Sequence, residues 1–206
     1  MDGSRSSGSR SCMKGHFALI LASQSPRRIE ILELAGFTPI VAPQDVDETP
    51  LPGEEPQALV ERLARLKAAS AAFDAPRGET VIAADTIVWL DGIELGKPAG
   101  AADAARMLRL LSGRTHHVST GVAIARGDEL RSFVETTAVT FHELTDAEID
   151  AYVATGDPLD KAGAYGYQSQ GCTLVRGIEG DFFNVVGLPI ARLVRELAAL
   201  DHEEDR

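Results

Sequence analysis

The sequence predicts an α/β fold, a mixed twisted sheet flanked by helices. Three observations carry that reading. Apolar runs of strand length alternate with longer stretches of 3.6-residue period, as when strands and helices take turns along one chain. Two pairs of apolar runs are separated by only two residues, Asp91-Gly92 and Gly127-Asp128, so those strands pair antiparallel, whereas strands separated by a helix are free to run parallel. The 206 residues are 44% hydrophobic and 25% charged, which suits one globular domain with a sizeable core.

The elements follow in order. Residues 17–22 read as a buried strand. Ser25 as N-cap, Pro26 at the first helical position and Gly36 past the end bracket a helix. A loop rich in Pro and acidic residues follows, "APQDVDETPLPGEEP". Residues 57–73 are strongly helical in period. "ETVIAAD" reads as a short strand ending on Asp85, and "TIVWLDGIEL" as a hairpin turned by Asp91-Gly92, a type I′ pair. Residues 101–111 read as a helix closed by Ser112-Gly113. "HHVSTGVAIAR" and "LRSFVETTAVTFHEL" read as two long strands joined at Gly127-Asp128. "TDAEIDAYVATG" carries a capping box, Thr145 with Glu148. "CTLVRGIEGDFFNVVG" reads as a further hairpin and residues 188–200 as a last helix. The domain is expected over 15–202, with residues 1–14 a flexible Ser/Gly/Arg-rich extension (Met13 an alternative start) and 203–206 a frayed tail.

Charge narrows the function. The formal net charge of −11 repels polyanions, so nucleic-acid binding is disfavoured and a small anion held by a local basic pocket fits better. The only cysteines, Cys12 and Cys172, suit free thiols in a reducing cytosol. No apolar run approaches the ~18–20 residues of a membrane span, and the first residues lack the apolar core of a signal peptide. A cytoplasmic location is expected.

Two stretches stand out chemically. "LASQSPRR" places Ser23, Ser25, Arg27 and Arg28 at a strand–turn–helix junction, where free helix amides already attract anions. Cations on a first helical turn oppose the helix dipole, which makes sense if an anion sits there; the alternative is a solvated pair bonded to nearby carboxylates. In the helix from residue 57, Leu59, Val60, Leu63, Leu66 and Ser70 share one face, and Lys67 falls inside that arc. A lysine there must snorkel or reach an anion. Asp85, at a strand end, can ligate a hard cation or take a proton from water; a turn aspartate is the alternative. Glu48 offers a second hard oxygen. Lys97 alone reads as a surface lysine. His116 and His117 alternate across a strand, and Trp89 reads as core. Gln168, in the glycine-rich "DPLDKAGAYGYQSQG", carries an amide able to read a base edge.

Together "LILASQSPRR", "ERLARLKA", "AADTIVWLDGIELGKP", "LSGRTHHVSTGVAI", "LDKAGAYGYQSQG" and "NVVGLPI" resemble the Maf family of nucleoside triphosphate pyrophosphatases, also called septum formation inhibitor proteins. The match runs in family order over nearly the whole chain. It implies an elongated, two-lobed, ITPase-like architecture with a central cleft. It also implies hydrolysis of a nucleotide between its α and β phosphates, a divalent cation (Mg²⁺ or Mn²⁺) and a homodimer. Carried over, the phosphate-binding motif falls on Ser23, Arg27 and Arg28, the acidic pair on Glu48 and Asp85, and the lysines on Lys67 and Lys97. Asp85 would be the catalytic base. Arg27 after "SP", Thr86 after Asp85 and Gln168 after "AYG" resemble the subgroup that prefers dTTP and UTP; the subgroup preferring 7-methyl-GTP carries "SPWR" and "SDQ". Modified pyrimidine nucleotides would fit the same pocket. Three rivals stand beside this reading: a non-enzymatic, nucleotide-sensing regulator of septation, a general phosphatase, and, against the charge balance, a nucleic-acid binder.

Overall fold

The computed structural model describes residues 19–204. In chain order, β1 (Leu19–Leu21), α1 (Pro26–Leu34) and β2 (Ile40–Val41) precede α2 (Pro56–Asp74), and β3 (Thr80–Leu90), β4 (Ile93–Leu95) and α3 (Ala101–Leu111) follow. Then come β5 (Thr115–Arg126), β6 (Glu129–Phe141), α4 (Asp146–Ala154), β7 (Val175–Glu179), α5 (Phe182–Val186) and α6 (Ile190–Glu204). The strands make one mixed sheet in the order β2-β1-β3-β5-β6-β7, with β4 attached to β3. β1 runs parallel to β2 and β3 because helices return the chain between them. The two-residue turns make β3–β4 and β5–β6 antiparallel, and Asp91 and Gly92 both take the positive φ (54° and 79°) that a type I′ turn requires.

Strand alternation sorts the core. On one face of β3 and β5, Ala83, Ala123 and Ala125 meet Ala64, Ala68 and Ala71 of α2. The other face carries two helix groups. Ile82, Val122 and Ile124 pack with Ile31 of α1, Val186 of α5 and Leu193 of α6. Further along the same strands, Val88, Val118 and Phe141 pack with Leu108 of α3 and Ile149 of α4. Between these two cores runs a polar belt: Thr86 with Thr120 (2.9 Å), Thr120 with the Asn184 carbonyl (3.1 Å), and the Asn184 amide on Thr137 (3.0 Å). This is the two-lobed arrangement, with the cleft where the lobes part.

Several expectations need correction. β3 does not end on Asp85 but runs on to Leu90, because β5 pairs with it without a break from Thr80↔Arg126 to Trp89↔His117. β2 has no counterpart in the sequence reading; its two residues are exposed and carry no burial pattern. Leu66 is 42% exposed, and the alanines of α2 take its place against the sheet. The expected hairpin over 172–187 is instead β7, paired with β6, followed by α5. The Asp181 side chain caps that helix by accepting from the Phe183 and Asn184 amides, so "DFFNVV" turns helical. Residues 157–174, expected as loop to 171 and hairpin beyond, hold three 3₁₀ turns (157–160, 162–164 and 170–174). α6 continues to Glu204, so the tail expected at 203–206 is partly helix and partly outside the described residues. The extension expected at 1–14, and the first two residues of the strand expected at 17–22, also lie outside them. Trp89 is half-buried, stacked on His117 at 4.5 Å. His116 is fully buried, its Nε2 lying 2.8 Å from the Tyr165 hydroxyl, and burial pulls its pKa down to about 3.

Among the described residues no helix is long and apolar enough to cross a membrane. The close approach of α2 to the sheet leaves no room for a side chain at Gly121: a Cβ there would lie 2.2 Å from the Val60 carbonyl oxygen. Gly121→Ala is expected to lower the unfolding free energy by about 2 kcal/mol or more, measured by urea denaturation, since helix backbone has to move to admit the methyl group.

Candidate functional site

The site begins at a gap in the sheet. β1 pairs only with Thr80–Ile82 of β3, and β4 pairs on the same edge only from Val88. Residues 83–87 therefore have no strand on that edge. Asp85 projects toward the α2 side of the gap and Thr86 toward the opposite side. Open α/β sheets bind ligands where a strand stops and the chain diverges to either side. Here the place is the C-terminal end of β1, against the middle of β3.

A cleft of about 1060 Å³ fills this gap, ample for a nucleotide-sized ligand. Every candidate residue from the sequence borders it. Ser23, Arg27 and Arg28 come from the β1–α1 junction, Glu48 from the acidic loop and Lys67 from α2. Asp85 and Thr86 come from β3, Lys97 from the segment after β4, and Gln168 from the glycine-rich loop.

Lys67 organises one wall. It is 9% exposed, and its Nζ lies 2.6 Å from both Asp85 Oδ1 and Glu48 Oε1. It does not merely snorkel; it bridges two carboxylates from different elements. The acidic loop is tied down to present Glu48. Arg62 holds both oxygens of Glu54 (2.7 and 2.8 Å) and donates to the Thr49 carbonyl, while Ser70 donates to Gln44 at 2.6 Å. Arg62 holds the Glu54 carboxyl down at about 2. Glu94 faces the same cleft; burial, then the Asp85 carboxylate, push its carboxyl above the ordinary range.

Arg28 organises the other wall. Its guanidinium donates to the Gly187 carbonyl (2.9 Å), Ser23 Oγ (3.1 Å) and Thr86 Oγ1 (3.0 Å), joining the β1–α1 turn, β3 and the end of α5. Burial pulls its pKa below the usual value, Asp85 opposes the drop, and Arg27 adds to it. The side chain nonetheless stays a cation. A guanidinium has five N–H donors, so two remain for a ligand. Among the described residues the side chains of Arg27 and Lys97 make no hydrogen bond or ion pair, though Arg27, after Lys161, helps hold the Asp160 carboxyl below its ordinary range. No side chain caps α1: Ser25 donates its own N–H to Ser23 Oγ (3.2 Å) instead, so the first turn keeps its amide donors.

The two arginines thus differ in a way their adjacency hides. Arg28 is a structural clamp with spare donors, and Arg27 is a cation whose side chain, among the described residues, has only a longer-range attraction to Asp160. Sequence reasoning missed Glu94, Lys161 and Asp157, all of which border the cleft. The "DPLDK" stretch signalled only polarity, since its pairings form when the loop folds onto α4. It also missed Gly187, whose carbonyl receives Arg28; positive φ (122°) makes it the stop signal of α5.

The family model described as "Maf-like protein" matches residues 18–200. The chain is 52% identical over 182 residues to a Bacillus cytotoxicus protein named dTTP/UTP pyrophosphatase, covering 88% of this chain and 95% of that one. It is 52% identical over 179 residues to a Bacillus cereus protein of the same name, covering 87% and 93%. The solved structure of the Staphylococcus aureus Ham1 protein superposes with a TM-score of 0.46 at 22% identity over 61% of this chain and 72% of that one, too loosely to bear on chemistry.

Arg28→Lys keeps the charge but loses the fork. It is expected to lower the unfolding free energy by about 1–3 kcal/mol in denaturant titration. Arg27→Lys, with no side-chain hydrogen bond to lose among the described residues, should stay within about 0.5 kcal/mol of the parent.

Proposed function

The chain belongs to the Maf-like protein family, and from that premise we propose that it hydrolyses pyrimidine nucleoside triphosphates, dTTP and UTP, to the monophosphate and pyrophosphate. The observation that carries the proposal is the convergence of Arg28, Lys67, Asp85 and Glu48 on one cleft whose far wall holds Gln168. The names of the Bacillus relatives support the same substrate class.

A divalent cation fits the donor set. Among the described residues no cluster of three acidic, His or Cys side chains forms a closed metal cage. Glu48 and Asp85 instead offer two hard carboxylates beside a phosphate-sized cleft, which is how Mg²⁺ and Mn²⁺ are commonly held, with water and phosphate oxygens completing the shell. Bound there, the ion supplies positive charge against the phosphate oxygens.

The chain's own groups do the rest. Asp85, oriented by Lys67, accepts a proton from the attacking water as its oxygen bonds to the α phosphorus. The bond to the α–β bridging oxygen breaks, and pyrophosphate leaves with the electron pair. Charge then shifts onto the leaving phosphates, where Arg27, Lys97 and the spare donors of Arg28 meet it. Lys67 can give up Glu48 or Asp85 to approach a phosphate, since its ammonium has three donors. Gln168 reads the base edge. Arg27, Thr86 and Gln168 favour the dTTP/UTP subgroup over the 7-methyl-GTP one.

The test is a nucleotide panel (dTTP, UTP, CTP, ATP, 7-methyl-GTP) with Mg²⁺ or Mn²⁺, reading pyrophosphate and orthophosphate separately. Turnover of dTTP and UTP to pyrophosphate, abolished by EDTA, is expected. Orthophosphate as sole product would make the protein a general phosphatase. Absence of turnover across the panel would leave a binding or regulatory protein. Asp85→Asn should lower kcat by about 10²-fold or more with an unchanged circular dichroism spectrum; a kcat like the parent's removes Asp85 as the base.

A further inference from the structure

The glycine-rich loop that carries Gln168 has no regular ladder to hold it, yet it is closely tied. The ties converge on Asp157, at the start of the first 3₁₀ turn after α4. Its Oδ2 accepts from the Tyr152 hydroxyl (2.7 Å) and from Ser169 Oγ (2.6 Å). Its Oδ1 lies 3.1 Å from Lys161 Nζ, which also donates to the Asp157 main-chain carbonyl (2.6 Å) and to Asp160 (2.7 Å). The Tyr152 oxygen in turn accepts from the Gly166 amide at 3.2 Å. Gly166 and Ser169 flank Gln168 by two residues and one, and both are fastened to the same carboxylate–phenol pair.

The packing confirms how closely the loop closes on this hub. A Cβ on Gly166 would lie 2.5 Å from Ser169 Oγ and from Lys161 Cε. One on Gly171 would lie 2.7 Å from the Gly166 carbonyl oxygen and from the Tyr152 hydroxyl. Burial and the neighbouring Asp157 carboxylate hold the Tyr152 phenol well above its ordinary pKa, so it remains an O–H donor. Gln168 itself is exposed on the cleft wall, and its side chain makes no hydrogen bond among the described residues. Its side chain is free while the backbone on both sides is held.

We propose that Asp157 is a positioning residue for base recognition: it fastens the 161–171 loop so that the Gln168 amide stands at one place in the cleft. This rests on the reading of the cleft as a pyrimidine nucleotide site. Asp157 takes no part in bond breaking. Lys161, engaged by Asp157 and Asp160, serves the loop before it serves any phosphate. Other holds stand beside Asp157: the Tyr167 ring meets Phe182 edge-on at 5.2 Å, the Tyr165 hydroxyl pairs with His116, and Ser169 Oγ also donates to the Gly166 carbonyl (3.0 Å); the Asp157–Tyr152 bonds are the ones that tie Gly166 and Ser169 together to α4.

The experiment measures kcat and KM for UTP and CTP with the full chain and its variants. Asp157→Ala should raise KM for UTP about tenfold, leave kcat within about threefold, and shrink the UTP:CTP ratio of kcat/KM about tenfold. Gln168→Ala should do the same, and the double variant should lose no more than either single one, because both remove one function. Asp157→Asn, which keeps an acceptor but not the charge toward Lys161, should fall between. Should Asp157→Ala fail to fold, Tyr152→Phe and Ser169→Ala each delete one donor to the same oxygen and should each shift KM and the ratio in the same direction. A KM and ratio unchanged beside an affected Gln168→Ala would overturn the positioning role. So would a fall in kcat alone, or full additivity. If the wild-type protein turns over no UTP, the parent reading fails separately; calorimetric binding of a non-hydrolysable UTP analogue then decides Asp157, with about tenfold weaker binding expected in Asp157→Ala.

Discussion

A lysine on the packed face of a helix must find counter-charge, because an unpaired ammonium removed from water is far too costly to keep. Lys67 meets that demand with Asp85 and Glu48, and much of the molecule is arranged around the result. α2 has to lie close enough to β3 for its side chain to reach Asp85, which the small residues Gly121, Ala83 and Ala123 permit. The acidic loop has to return to the same point, which Arg62 and Gln44 bring about by tying it to α2 and to its own backbone. Two carboxylates are thereby held side by side at the mouth of a cleft. Alone they would repel each other; with Lys67 between them they form a wall of mixed sign.

Arg28 plays the corresponding part across the gap. The polar belt of Thr86, Thr120, Thr137 and Asn184 separates two apolar cores on one face of the sheet, and Arg28 closes its open end by bonding Thr86, Ser23 and Gly187. The cleft is therefore lined by groups whose first hydrogen bonds are spent on one another. A site built this way is organised before its ligand arrives, and the ligand meets fixed donors rather than having to order them. Arg27 and Lys97, whose side chains make no hydrogen bond among the described residues, border the same cleft.

The fold was legible wherever local chemistry decided it. The helices α3 and α4, the Asp91-Gly92 turn and the β5–β6 hairpin follow from caps, period and turn residues that act within a few positions. Asp85 as a strand end, the hairpin over 172–187 and Leu66 in the core were misread for one shared reason: each depends on what lies opposite in space. β3 continues past Asp85 because β5 is there to pair with it. "DFFNVV" is helical because Asp181 caps it and Asn184 is needed by Val118 and Thr137. Leu66 is outside because α2 rolls toward its alanines to approach the sheet.

What the sequence determined by itself was the cast of the site, since charge on an apolar face, arginines against a helix dipole and an amide in a glycine-rich loop are costly unless something offsets them. Tertiary structure alone decided which of them are committed and which are free. Arg27 and Arg28 are neighbours of the same type, yet the side chain of Arg28 is hydrogen-bonded on three sides and that of Arg27, among the described residues, on none. Whether an arginine's donors are taken depends on distances to groups up to 159 residues away in the chain, which no local pattern encodes.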